Sequence, residues 1–139
     1  MQDRPTMQEL LAAVRGFLEE EVVGALEGPR RFHALVAANV LAIAERELAG
    51  EEEALVVEWQ RLASLGGSSQ KEPPARLAAL RTAVREATAA LVERIRQGEA
   101  DEGSFHEAVR AHVRQTVEEK LRVANPKLVS PRDPASAVR

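Results

Sequence analysis

Glu21, His33 and Asn39 are the polar side chains whose types and positions point most directly to chemistry. If the chain turns back on itself at Gly28-Pro29, Glu21 comes level with Leu35 of the returning helix. His33 then lies within about half a turn of it along the axis, at about 1.5 Å of rise per residue. A carboxylate beside an imidazole is an acid–base pair. The competing reading is a structural ion pair of Glu21 with Arg30, Arg31 or His33, and such pairs are commoner than catalytic ones. Asn39 is the one polar residue in the run Ala34 to Ala44. Its sequence setting fits a buried amide that fixes helix register, or a ligand contact.

Other candidate chemistries fail on spacing. His106 and His112 flank a Glu as in a zinc-protease helix, but they are six apart, about 240° round a helix instead of on one face. A carboxylate-bridged di-metal bundle needs Glu-x-x-His pairs, and no Glu here has a His three residues later. The acidic runs Glu19–Glu21 and Glu51–Glu53 read as solvated charge. Arg76, Arg81, Arg85, Arg94 and Arg96 read likewise, as a solvated face among Glu86 and Glu93. The stretch from Gly66 to Pro74 is not a phosphate loop, because Lys71 has neither a preceding Gly nor a following Ser or Thr. There is no Gly-x-Ser-x-Gly elbow and no dinucleotide-binding glycine pattern. The reading is therefore of no metal, no cofactor and no catalytic motif.

The elements that must position these groups are helices. Ala, Leu, Val, Glu and Arg dominate the 139 residues, and aromatics are scarce at 3%. Thr6 and Glu9 form a capping box before a helix expected over 7–26, with Glu21 interrupting its apolar seam seven residues after Val14. A second helix over 29–48 is apolar almost all round, with Phe32, Val36, Val40 and Ile43 as its densest stripe, and so belongs in a bundle centre. Gly50 is expected to end it. A third helix over 51–65 presents Leu55, Trp59 and Leu62, and the Gly66–Pro74 linker follows. A fourth over 74–97 repeats Leu77, Leu80, Val84, Ala87, Leu91 and Ile95. A fifth, capped by Ser104 and Glu107, turns Phe105, Val109, Val113, Thr116 and Val117 inward and stops at Asn125-Pro126. The expected fold is all-α: an antiparallel bundle of about five helices with a buried second helix. One domain is expected over 1–128, with a mobile tail over 129–139.

Composition excludes some partners and places. The 19 basic and 22 acidic residues interleave, for a net charge of −3, so no basic face awaits nucleic acid. No apolar run approaches the roughly 20 residues of a membrane span. There is no cysteine and no signal-peptide plan at the N-terminus, which fits a cytoplasmic protein.

Three stretches carry a resemblance. Phe17-Leu18-Glu19-Glu20-Glu21-Val22 leads to Gly28, then Phe32-His33-Ala34-Leu35-Val36-Ala37-Ala38-Asn39, and Val117 to Lys127 closes on Asn125-Pro126. Over residues 4 to about 128 the chain resembles a bacterial all-helical domain of unknown function found beside, or fused to, aminoglycoside-phosphotransferase-like kinases and acyl-CoA dehydrogenases. The family pattern commonly has an aromatic soon after Asn-Pro, where this chain has Leu128. The resemblance implies such neighbours as partners, not a mechanism. The leading expectation is a helical interaction module, accessory to a small-molecule kinase or acyl-CoA-metabolising enzyme. The alternative is a small-ligand binder, acyl-CoA-related ligands included, with a pocket between helices one, two and five at Glu21, His33 and Asn39. Homodimerisation fits either reading, since Ala-rich faces let helices approach closely.

Overall fold

The computed structural model describes residues 3–67 and 72–129. Every regular element among them is helical, and none is long and apolar enough to cross a membrane. Four main helices follow one another: α1 (Met7–Phe17), α2 (Gly28–Gly66), α3 (Leu77–Arg96) and α4 (Gly103–Ala124). A 3-10 turn, Pro126–Leu128, closes the described chain. The expected tail lies, apart from Val129, outside the described residues, as do residues 68–71 of the linker.

The expected second and third helices are one. Gly50 costs about 1 kcal/mol in a helix interior. Its flanks, Arg46-Glu47-Leu48-Ala49 and Glu51-Glu52-Glu53-Ala54, are strong helix formers without proline, and α2 runs straight through. Hence four main helices are present where five were expected.

The chain divides into two compact units, Met1–Glu51 and Glu52–Arg139. In the first, the Thr6–Glu9 capping box forms as the sequence implies: Glu9 N–H donates to Thr6 Oγ1 at 3.2 Å, and Thr6 N–H to Glu9 Oε2 at 2.6 Å. After Phe17 the helix widens into a π turn, Leu18–Val22, where Val23 N–H reaches back to the Leu18 carbonyl. That turn explains how the chain tolerates Glu21. A π turn inserts one extra residue, so the seam position falling on Glu21 by simple counting passes to Val22. Glu21 is exposed, Val22 half-buried and Val23 buried. A last helical turn, Val23–Ala25, precedes the reversal, and Gly28 takes φ +55 there, a left-handed conformation that favours glycine.

Ala34 and Ala38 are the buried residues on this part of α2, small side chains that permit close approach, and Arg15 of α1 donates to Glu45 of α2 at 2.9 Å. The bonds to Glu45 and Glu19 raise the Arg15 pKa above its ordinary value. The expected central burial of this helix is not what forms. Phe32, Val36 and Val40 lie roughly half a turn from the alanine seam and are 63%, 44% and 56% exposed. An apolar side beyond the one used by the hairpin stays uncovered.

The second unit owns the core. Trp59 and Leu62 of α2, Leu80, Val84 and Leu91 of α3, and Val109 of α4 form one buried cluster, with Phe105 packed at its edge. Arg94, near the end of α3, donates to the Leu65 carbonyl near the end of α2 at 2.7 Å. The C-terminal ends of α2 and α3 therefore lie together, which strict up-and-down alternation would not give. Arg94 also lies over the Phe105 ring, 3.9 Å from its centroid, tying the end of α3 to the start of α4.

Leu80 is 1% exposed and central to this cluster. Leu80→Ala should cost about 2–5 kcal/mol in urea unfolding. A loss below about 1 kcal/mol would mean that the cluster is not the stabilising core.

Candidate functional site

α4 carries the site because its inward seam changes character halfway along. Phe105 and Val109 start it, and at 3.5-residue spacing it continues through His112, Thr116 and Glu119. Sequence reasoning placed Val113 and Val117 on this seam; they sit beside it, 48% and 49% exposed. The polar half of the seam receives one cation from α2. Arg61 donates to both carboxylate oxygens of Glu119, at 2.8 and 2.6 Å, the two-pronged geometry that suits a guanidinium. Its second terminal nitrogen also approaches Thr116 Oγ1 at 3.4 Å, and Nε–H points at His112 Nδ1 across 3.5 Å, a long contact.

Burial and charge shift the titration of both His112 and Glu119. His112 is buried, and its pKa is lowered, first by desolvation and then by the neighbouring Arg61 charge; Glu58 and Glu119 pull weakly the other way. The neutral ring that results keeps Nδ1 as an acceptor toward Arg61. Burial alone would push the Glu119 carboxyl up, but the hydrogen bond and charge of Arg61, aided by Gln115 and Arg122, bring it below its ordinary value.

Beside this polar seam runs a groove of about 530 Å³. Val84, Leu91, Val92 and Ile95 of α3, with Val113 and Val117 of α4, give it an apolar lining; Leu55 and Glu58 of α2 contribute a wall. His112 and Thr116 reach it from the seam, and Arg81, Arg85 and Lys120 edge it. Only residues 97–102 join α3 to α4, so all three edging cations lie toward the end remote from that connection. A second hollow of about 400 Å³ lies over Trp59, Leu62, Ala87 and Leu91, with Arg94 at its side.

Glu21, His33 and Asn39 are all exposed. Asn39 is thus a surface amide where a buried one was expected. The His33 ring keeps a tilted contact with neighbouring Phe32, its centroid 6.1 Å away. His112 is the buried histidine. His106 is half-buried, and its Nδ1–H donates to the Ala100 carbonyl at 2.7 Å. Arg61 and Glu119 escaped notice because they are 58 residues apart and each looks like one more surface charge. Among the described residues no group of three or more His, Asp or Glu side chains is placed to hold a metal ion.

The chain belongs to the family described as a domain of unknown function, DUF6285, whose model matches residues 24–128. The match takes in α2, α3 and α4 and begins after α1. No curated protein and no solved structure matches the chain significantly.

Acid should destabilise the protein in two steps. The unfolded chain protonates its histidine near 6.5, whereas folded His112 resists. The unfolded state then binds more protons, so the His112 contribution is complete above that value and is lost as pH falls through the folded pKa. Glu119, with its depressed pKa, adds a further loss below about 4.5. Urea midpoints measured from pH 8 to 5 should fall, and His112→Asn should flatten that fall. Parallel curves for the two proteins would contradict the assignment.

Proposed function

We propose that the chain is a helical interaction module that docks on a partner through the uncovered side of α2. The exposed stripe Phe32, Val36 and Val40 is the observation that carries this reading. These residues recur every four positions, the i, i+4 spacing by which a helix presents apolar anchors to a groove or to another helix. Large apolar side chains gathered on one exposed face mark interaction surfaces on folded proteins, whereas single ones do not. Met7, Leu10, Val14 and Phe17 add a second exposed apolar row on α1, within the same unit. Polar groups flank the α2 stripe, with His33 and Asn39 on its edges, so these two serve as rim contacts of the docked state. Glu21 is a further surface carboxylate for that rim.

The partner we propose is a small-molecule kinase or an acyl-CoA-metabolising enzyme, to which this chain is an accessory protein of the bacterial cytoplasm. That part rests on the sequence resemblance and on the lack of a catalytic constellation in the sequence. Self-association through the same stripe is the other outcome this face allows.

The test compares tagged full-length protein with the Val36→Asp/Val40→Asp variant as baits in lysate of the source organism, with mass-spectrometric readout. Both positions are exposed, so the variant should keep its helical circular dichroism. The wild type should recover a kinase-like or acyl-CoA-metabolising enzyme near one-to-one, and the variant should lose it. Equal recovery by both baits, or recovery of the bait alone, would contradict the proposal.

A further inference from the structure

The groove between α3 and α4 has a distribution of chemistry that the docking face does not need. Its length runs along α3 from Arg81 to Ile95, fourteen residues or about 21 Å at 1.5 Å per residue. Beyond Arg85, the stretch through Thr88, Leu91 and Val92 to Ile95 covers about 15 Å of that. Positive charge is confined to the remote end, where Arg81 and Arg85 of α3 and Lys120 of α4 edge the same groove. Glu58 is the carboxylate lining it, held on the α2 wall. One end thus suits an anion and the rest suits hydrocarbon.

We propose that this groove binds an amphiphilic anion, an unbranched carboxylate of medium to long chain, with its alkyl part over Val92 and Val113 and its head group at Arg85 and Lys120. Burying a chain of a dozen carbons against the valine rows supplies the affinity, less the cost of ordering the chain. The cations supply orientation and the preference for a carboxylate over a neutral or positive head. A volume of about 530 Å³ sits within the range of small-molecule sites. The half-buried pair Arg61–Glu119 is not among the groove's lining residues, and its charges already satisfy each other. The site lies in the second unit, so this inference stands apart from the docking face of the first.

Isothermal titration of the full-length protein with sodium dodecanoate, below its micellar concentration, tests the site. Dodecyltrimethylammonium, with the same chain and the opposite charge, is the control probe. Saturable one-to-one binding of dodecanoate is expected, at least about tenfold tighter than the control, a gap of about 1.4 kcal/mol. Val113→Glu, at a half-exposed position, should weaken dodecanoate about tenfold or more. Arg85→Gln/Lys120→Gln should erase most of the preference for the anion while leaving the cationic probe no weaker. Circular dichroism checks each variant, and Val92→Glu replaces Val113→Glu if that variant is unfolded. Unsaturable uptake, equal binding of the two probes, or unchanged affinity in folded Val113→Glu or Val92→Glu would overturn the proposal.

Discussion

The Arg61–Glu119 pair is the constraint on which the second unit depends. Neither side chain is free to reach bulk water easily: they are 17% and 23% exposed. A guanidinium at that depth needs its donors filled, and Glu119, Thr116 and His112 are the acceptors offered. All three lie on one face of α4, so satisfying Arg61 fixes the rotation of α4 against α2. Once that rotation is set, Val113 and Val117 cannot also turn inward. They stand beside the seam and face the groove instead. Groove and polar seam are thus two consequences of one pairing. Among the described residues no buried side-chain nitrogen or oxygen lacks a hydrogen-bond partner.

The first unit follows a different logic. A pair of helices has one mutual interface; the Arg15–Glu45 bridge crosses it, and Ala34 and Ala38, on the same side of α2 as Glu45, are buried. Alanines on that side contribute little apolar area. Every larger apolar residue of α2 placed off that seam must find cover elsewhere or stay exposed, as Phe32, Val36 and Val40 do. The buried cluster and the exposed α2 stripe therefore lie in different units.

Much of the fold was legible in the sequence. The capping box at Thr6 and the Leu55, Trp59 and Leu62 face were readable from local spacing, as were the repeat Leu80, Val84, Leu91 and the reversal before Gly28-Pro29. Other features were not, among them the start of α4, which begins at Gly103 after Glu102 with no side-chain cap where Ser104 was expected to cap it. Gly50 looks like a stop because glycine usually is one, and only the summed propensity of its neighbours overrules it. The π turn at Leu18–Val22 has no composition of its own, so Glu21 looked like an interruption of the seam when it is displaced from it. The all-apolar character of residues 34–44 implied burial, but composition cannot say whether the cover comes from the same chain. The polar seam of α4 was hidden for a further reason. Val113 and Val117 match helical periodicity as well as His112 and Thr116 do, and only the distant Arg61 decides between the two faces.

A double-mutant cycle on Arg61 and Glu119 tests this account most directly. Urea unfolding would be measured for Arg61→Met, Glu119→Leu and the pair together. Each single change strands a half-buried charge; the double change replaces both charges with apolar groups. The account predicts that the double variant loses clearly less than the sum of the singles, with a coupling of about 1–3 kcal/mol. Losses that add to within about 0.5 kcal/mol would contradict it, since the two residues would then act independently and could not set the rotation of α4.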